Sequence, residues 1–118
     1  MKDWKKVIVS VGTPIREAVK VIDEGALKIA LVVDSSERLL GTITDGDVRR
    51  GILKGIALEE SVARIMNATP TVAQVQQSRD EIFDLLRQES LHQVPVLDQE
   101  GRLVGLEVIE NLLRPLGS

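Results

Sequence analysis

Cysteine is absent from the 118 residues, so neither disulfides nor thiolate metal ligands can contribute. Aromatic residues are almost absent as well: Trp4 and Phe83 stand alone, without a tyrosine, which removes the stacking platform that single-stranded nucleic acid needs. A net charge of −3 leaves no broad basic footprint for nucleic acid of any kind. The single histidine, His92, cannot build a multi-histidine metal site. No serine–histidine–acid spacing and no pair of catalytic carboxylates stands out. The longest unbroken apolar run, Ile29 to Val33, is far too short to cross a bilayer. The opening Met1-Lys2-Asp3-Trp4-Lys5-Lys6 lacks the apolar stretch of a secretory signal. The expectation is a cytoplasmic protein with no membrane or nucleic-acid partner and no catalytic cofactor. What is present is ordinary for a soluble globular chain: 43% hydrophobic and 28% charged residues.

One stretch organises the rest. Gly41-Thr42-Ile43-Thr44-Asp45-Gly46-Asp47 is followed at once by Val48-Arg49-Arg50. A short apolar strand (Leu39, Leu40, Ile43) runs into glycines and acids, and a helical pattern begins behind it. Such a junction leaves free N–H groups and a positive dipole end facing outward, a physical basis for holding an anion. Thr44-x-x-Asp47 also reads as a capping box, which needs no ligand. The local sequence leaves both readings open, with Asp45 as an alternative N-cap that would free Asp47.

Taken in order, Val7 to Val11 reads as a short strand, and Thr13-Pro14 as an N-cap with proline at the first helical position. Helical spacing from Ile15 through Ala18, Val19 and Ile22 stops at Gly25. Ile29 to Val33 reads as a strand buried on both faces, Asp34 to Glu37 as a turn, and Leu39 to Thr44 as a second strand. Helices follow over Asp47 to Lys54 and Leu58 to Met66. The order then returns: a strand-like Thr71 to Val75, a Ser78-capped helix carrying Ile82 and Leu86 with Phe83 in its core, strands Val94 to Leu97 and Leu103 to Val108, and a helix Ile109 to Leu113 closed by Pro115. Asp98 lies 64 residues after Asp34, and Gly105 lies 64 after Gly41. At the same offset Arg102 falls on Arg38, Leu103 on Leu39 and Glu81 on Glu17. A unit of about 55 residues buries only ~60% of its unfolded surface and is marginal alone, so two units sharing a core are expected.

On these marks (strand to Asp34, then Gly41-x-x-Thr44-x-x-Asp47, with Val96-Leu97-Asp98 and Gly105 repeating the interval) the chain resembles a tandem pair of CBS domains, a Bateman module. Arg64-Ile65-Met66 followed by Thr69-Pro70-Thr71-Val72 resembles the bridge between the copies. The resemblance covers about Trp4 to Leu113. It implies an α/β (α+β) fold of two β-α-β-β-α repeats, residues 4–60 and 61–116, packed sheet to sheet with pseudo-two-fold symmetry. More narrowly, Gly41 to Arg50 is similar to pairs associated with sugar-phosphate nucleotidyltransferases. The implied function is regulatory rather than enzymatic: binding of an adenosine-containing nucleotide (AMP, ADP or ATP) in the cleft between the repeats, controlling an attached or partner nucleotidyltransferase, in a homodimer.

Carried over by position, Asp47 would accept hydrogen bonds from the ribose diol, and Thr44 would contact ribose or α-phosphate. Lys28 would meet a phosphate, Ile29 would cover one side of the adenine, and Asn67, Pro70 and Val72 would flank it. Arg49 and Arg50 would reach phosphates or pair with a partner domain. The second copy departs from the pattern, with Val108 in place of the threonine and Asn111 in place of the aspartate. Valine cannot hydrogen-bond a phosphate, and asparagine lacks the charge. A second, weaker site would use Val7, His92 and Asn111. The alternative to ligand binding is a ligand-free structural and dimerisation module in which Thr44 and Asp47 serve only as caps.

Overall fold

Apolar strands that alternate with amphipathic helices at a fixed 64-residue interval should give two copies of one small sheet, and the computed structural model, which describes residues 4–112, contains them. After a 3-10 turn at Trp4–Val7, the first copy runs β1 (Ile8–Ser10), α1 (Ile15–Glu24), β2 (Ala30–Val33), β3 (Leu39–Ile43) and α2 (Asp45–Leu53). A 3-10 turn at Val62–Arg64 precedes the second copy: β4 (Ala73–Gln74), α3 (Arg79–Gln88), β5 (Gln93–Leu97), β6 (Leu103–Val108) and α4 (Ile109–Leu112). This is a mixed α+β chain with two three-stranded sheets, ordered β1-β2-β3 and β4-β5-β6. In each, the first pair is parallel and the second antiparallel.

The repeat holds at the level of single hydrogen bonds. Val9 pairs with Val32 and Ala73 with Val96; Val32 pairs with Gly41 and Val96 with Gly105. The register shifts at Val32/Val33 in one sheet and at Val96/Leu97 in the other. Asp34 Oδ1 accepts the N–H groups of Ser36 and Arg38, as Asp98 Oδ1 accepts those of Glu100 and Arg102, so both aspartates close their hairpins by side-chain turns. The left-handed residue in this turn is Glu37 (φ 66°) in the first copy and Gly101 (φ 82°) in the second.

The chain divides into two compact units, Met1–Pro70 and Thr71–Ser118. The core of the first gathers Val9, Ala18, Ile22, Ala30, Val32, Ile43 and Val62. The core of the second gathers Ala73, Ile82, Leu86, Val94 and Val96. All four residues of β2 are buried, as a continuous apolar run flanked on both faces requires. Residues 61–70 fold into the first unit: Val62 is fully buried there, and Thr42 and Asn67 exchange two backbone hydrogen bonds of 3.1 and 2.8 Å.

Several local expectations are corrected. Thr13 is not the cap of α1; Pro14 occupies the N-cap position without a side-chain bond, and the Thr13 hydroxyl lies 3.0 Å from that of Ser10. The open N–H groups of Ile15 and Arg16 instead donate to the carbonyls of Glu60 and Leu58, both at 2.9 Å. Those carbonyls would be needed for an α-helix over Leu58 to Met66, so only the 3-10 turn forms there, capped by Ser61 at the Ala63 N–H. Helix α2 starts two residues earlier than the apolar pattern suggests, at Asp45. Val7 belongs to the opening 3-10 turn and not to β1. Phe83 is half-buried rather than a core residue, with the Arg87 guanidinium 5.7 Å from its ring centre. Leu113 and Pro115 lie outside the described residues.

Gly41 is a contact requirement. A Cβ there would stand 2.7 Å from the Asn67 carbonyl oxygen and 2.9 Å from Met66 Sδ, whereas at Gly105 the nearest atom is Val96 Cβ at 3.8 Å. Gly41→Ala should therefore cost about 1–3 kcal/mol in urea unfolding, and Gly105→Ala less than about 1 kcal/mol. A second expectation concerns pH. Partial burial works to raise the Asp98 carboxyl, but the Arg102 N–H and guanidinium and the Glu100 N–H outweigh it and hold Asp98 below its ordinary range. A depressed carboxylate stabilises the fold above its unfolded value and loses that contribution as pH falls through the folded one. A carboxyl NMR titration should find the Asp98 midpoint below ~3.9, the ordinary aspartate value.

Candidate functional site

Strand β3 ends at Ile43, and Thr44 (φ −120°, ψ 174°) is the N-cap residue of α2. Asp47 stands at the third helical position and reaches back. Its Oδ2 accepts the Thr44 N–H at 2.9 Å and the Thr44 hydroxyl at 3.2 Å. Its Oδ1 accepts the Arg50 guanidinium at 2.7 Å. The Asp47 side chain is 13% exposed and that of Arg50 65%. Asp45 is the first residue of the helix and not its cap, so it does not release Asp47: both carboxylate oxygens are engaged. Acidic residues in the first turn also complement the positive end of the helix dipole.

Sheet register assembles the neighbours. Ala30 lies opposite Ile43, which puts Lys28 and Ile29 at the same end of the first sheet as Thr44. Lys28 is exposed and left-handed (φ 59°). Ile29 is buried, 6% exposed. The bridge to Thr42 brings Asn67 alongside the end of β3. Asn67 Oδ1 accepts the Thr69 N–H at 3.1 Å, a side-chain turn that leads the chain to the half-buried Pro70. Thr44, Asp47, Lys28 and Asn67 thus share one end of the first sheet. Val72 belongs to the second unit.

The corresponding junction of the second unit is built differently. Val108 closes β6 and is 8% exposed, where Thr44 is exposed. The Ile109 N–H donates to the His92 carbonyl at 2.7 Å, placing His92 and Asn111 at one end of that sheet. Both side chains are exposed, and the Asn111 carbonyl accepts from Arg79 at 3.0 Å. Val7 lies in the first unit and is 2% exposed. Among the described residues no group of three or more His, Cys, Asp or Glu could hold a metal ion.

Sequence reasoning missed the face that α2 turns toward the docked segment. Asp47, Arg50, Gly51 and Lys54 line a depression together with Arg64, Ile65 and Met66. The spacing i, i+3, i+4, i+7 was its readable signal.

A family model described as "CBS domain" matches residues 2–54 and 62–106. The chain is 28% identical over 97 residues to the arabinose 5-phosphate isomerase GutQ of Escherichia coli (strain K12), which covers 82% of this chain and 30% of that protein. The chain thus spans under a third of the length of such curated relatives. Among solved structures, the cytosolic domain of the Mg2+ channel MgtE in complex with ATP superposes with a TM-score of 0.74 at 27% identity, covering 91% of this chain and 43% of the other. CBSX2 in complex with AMP superposes with a TM-score of 0.80 at 22% identity over 97% of this chain and 90% of the other, a likeness of fold.

The capping geometry itself is open to measurement. Asp47→Ala removes the acceptor of the Thr44 N–H and should lower unfolding free energy by about 1 kcal/mol. Asp47→Asn keeps an acceptor oxygen and should cost less. Urea unfolding of the two variants side by side gives the comparison.

Proposed function

The chain belongs to the CBS-domain family, and we propose that it is a regulatory, non-catalytic module that binds an adenosine nucleotide at the β3–α2 junction of its first unit. The observation that carries this reading is the asymmetry between two otherwise matched junctions. Register, turn and bulge repeat at 64 residues, yet Thr44 and Asp47 are replaced by Val108 and Asn111 at the corresponding positions. A carboxylate can accept two hydrogen bonds from a ribose diol, and an amide offers one oxygen and no charge. Lys28, exposed at the same end of the sheet, supplies a cation for phosphate. The ATP complex of MgtE, at 27% identity, supports an adenine nucleotide as the ligand class. Nucleotide binding would regulate by favouring one arrangement of the module over another, to the extent that the affinities differ.

The relatives named above redirect the expected partner. Nothing in them supports the nucleotidyltransferase association; the curated relatives include arabinose 5-phosphate isomerases, so the attached enzyme in this reading is a sugar-phosphate isomerase. Homodimerisation belongs to the same proposal, supported by apolar surface on α2, where Ile52 and Leu53 are 55% and 79% exposed. A second reading, a ligand-free structural module, is favoured by one observation: Asp47 is wholly engaged by Thr44 and Arg50.

Calorimetric titration with AMP, ADP and ATP separates the two. Binding of at least one is expected, with Asp47→Asn weakening it about tenfold, the equivalent of ~1.4 kcal/mol, and Asn111→Ala changing it less than about twofold. No heat and no thermal shift with any of the three up to millimolar concentration leaves the structural reading standing. Equal losses in both variants contradict the asymmetry.

A further inference from the structure

Beside the capping box lies a cavity of about 160 Å³ lined by Asp47, Arg50, Gly51, Lys54, Ile56 and the segment Arg64, Ile65, Met66. It is well below the ~300–1,000 Å³ of a drug-sized pocket and too small for a nucleoside. Among its described lining residues there is none of Lys28, Thr44, Asn67 or Pro70. Three cations converge on it from two separate segments, against one lining carboxylate. Arg50 is held by Asp47 at 2.7 Å, and Arg64 pairs with Glu60; Lys54 has no ion-pair partner among the described residues. At Gly51 a Cβ would stand 2.5 Å from Ile65 Cγ2, so the absence of a side chain there lets Ile65 pack close against the helix. Ile56, Ile65 and Met66 complete the lining.

We propose that this cavity is a phosphate-accepting site, separate from the nucleotide junction, that takes a small phosphate dianion between Arg50, Lys54 and Arg64. Guanidinium and ammonium donors suit phosphate oxygens, and the volume limits the ligand to inorganic phosphate or the head of a phosphomonoester. The anion competes with the Asp47 carboxylate for Arg50. Neutralising Asp47 therefore strengthens this site while weakening the nucleotide site, so the two have opposite signatures in one variant.

The test is an NMR titration of the 118-residue chain with inorganic phosphate at constant ionic strength, repeated in Lys54→Gln, Arg64→Gln and Asp47→Asn. Lys54 and Arg64 are exposed, and thermal melts confirm that each variant folds. Saturable shifts centred on Gly51, Lys54 and Arg64 to Met66 are expected, weakened about tenfold by either glutamine and strengthened severalfold by Asp47→Asn. Absent or non-saturating shifts, glutamine variants that keep the affinity of the parent chain, or shifts centred on Lys28 and Thr44 overturn the proposal. Adenosine, which carries no phosphate, is titrated in parallel. Saturable adenosine shifts near Thr44 support the nucleotide reading independently of this site, and a failure of phosphate counts against this site alone.

Discussion

The first unit depends on one close approach: the segment around Val62 to Asn67 lying against the edge of β3 and the side of α2. Two backbone hydrogen bonds between Thr42 and Asn67 hold one end, and Val62, fully buried, holds the other. Gly41 and Gly51 make the distance possible, since any side chain would collide with Asn67, Met66 or Ile65. The same segment accepts the open N–H groups of α1 through Leu58 and Glu60, completing a helix whose own N-cap is a proline with no side-chain bond to offer. An exposed strand edge is blunted in the process. Without this contact Asn67 would not stand beside Thr44, and Arg64 would not face α2.

The 64-residue repeat duplicates the scaffold and leaves the Thr44–Asp47 pair single. Strand registers, bulges and aspartate-closed hairpins are the same in both units. Gly105, however, meets only ordinary packing where Gly41 meets a docked backbone. Val108 is buried where Thr44 is exposed. Backbone geometry is held in both copies by short-range hydrogen bonds, whereas the polar chemistry at the strand-to-helix junction survives in one. Scaffold and site have separable physical requirements, and here they have separated.

Strands and helices with strong periodicity were legible from the residues: β2 from an unbroken apolar run, α3 from Ser78 and Glu81, both hairpins from their aspartates. The repeat interval was legible to the residue. The stretch Leu58 to Met66 was misread because its carbonyls are claimed by a helix more than forty residues earlier in the chain, a tertiary demand that propensity cannot register. The cap of α1 was misread for the same reason from the other side: Thr13 looked sufficient until Glu60 and Leu58 arrived. At the candidate site, Thr44 and Asp47 were legible as a pair. The engagement of Asp47 with Arg50, and the converging Lys54 and Arg64, needed a helix face and a docked segment that only three dimensions bring together.

In the proposed reading, capping and ligand binding at Asp47 would divide one carboxylate between its two oxygens, so they would not compete on equal terms. Oδ2 serves the backbone N–H and hydroxyl of Thr44, and losing a cap of this kind costs about 0.5–2 kcal/mol. Oδ1 serves Arg50, whose side chain is 65% exposed, and ion pairs with a solvated partner contribute only ~0–1 kcal/mol. A hydroxyl-bearing ligand can displace the weaker bond and leave the stronger one in place. The cap then fixes the orientation of the carboxylate before any ligand arrives, which lowers the ordering cost of binding. On this account the helix cap is what aims the acceptor, and Arg50 is what occupies it in the meantime.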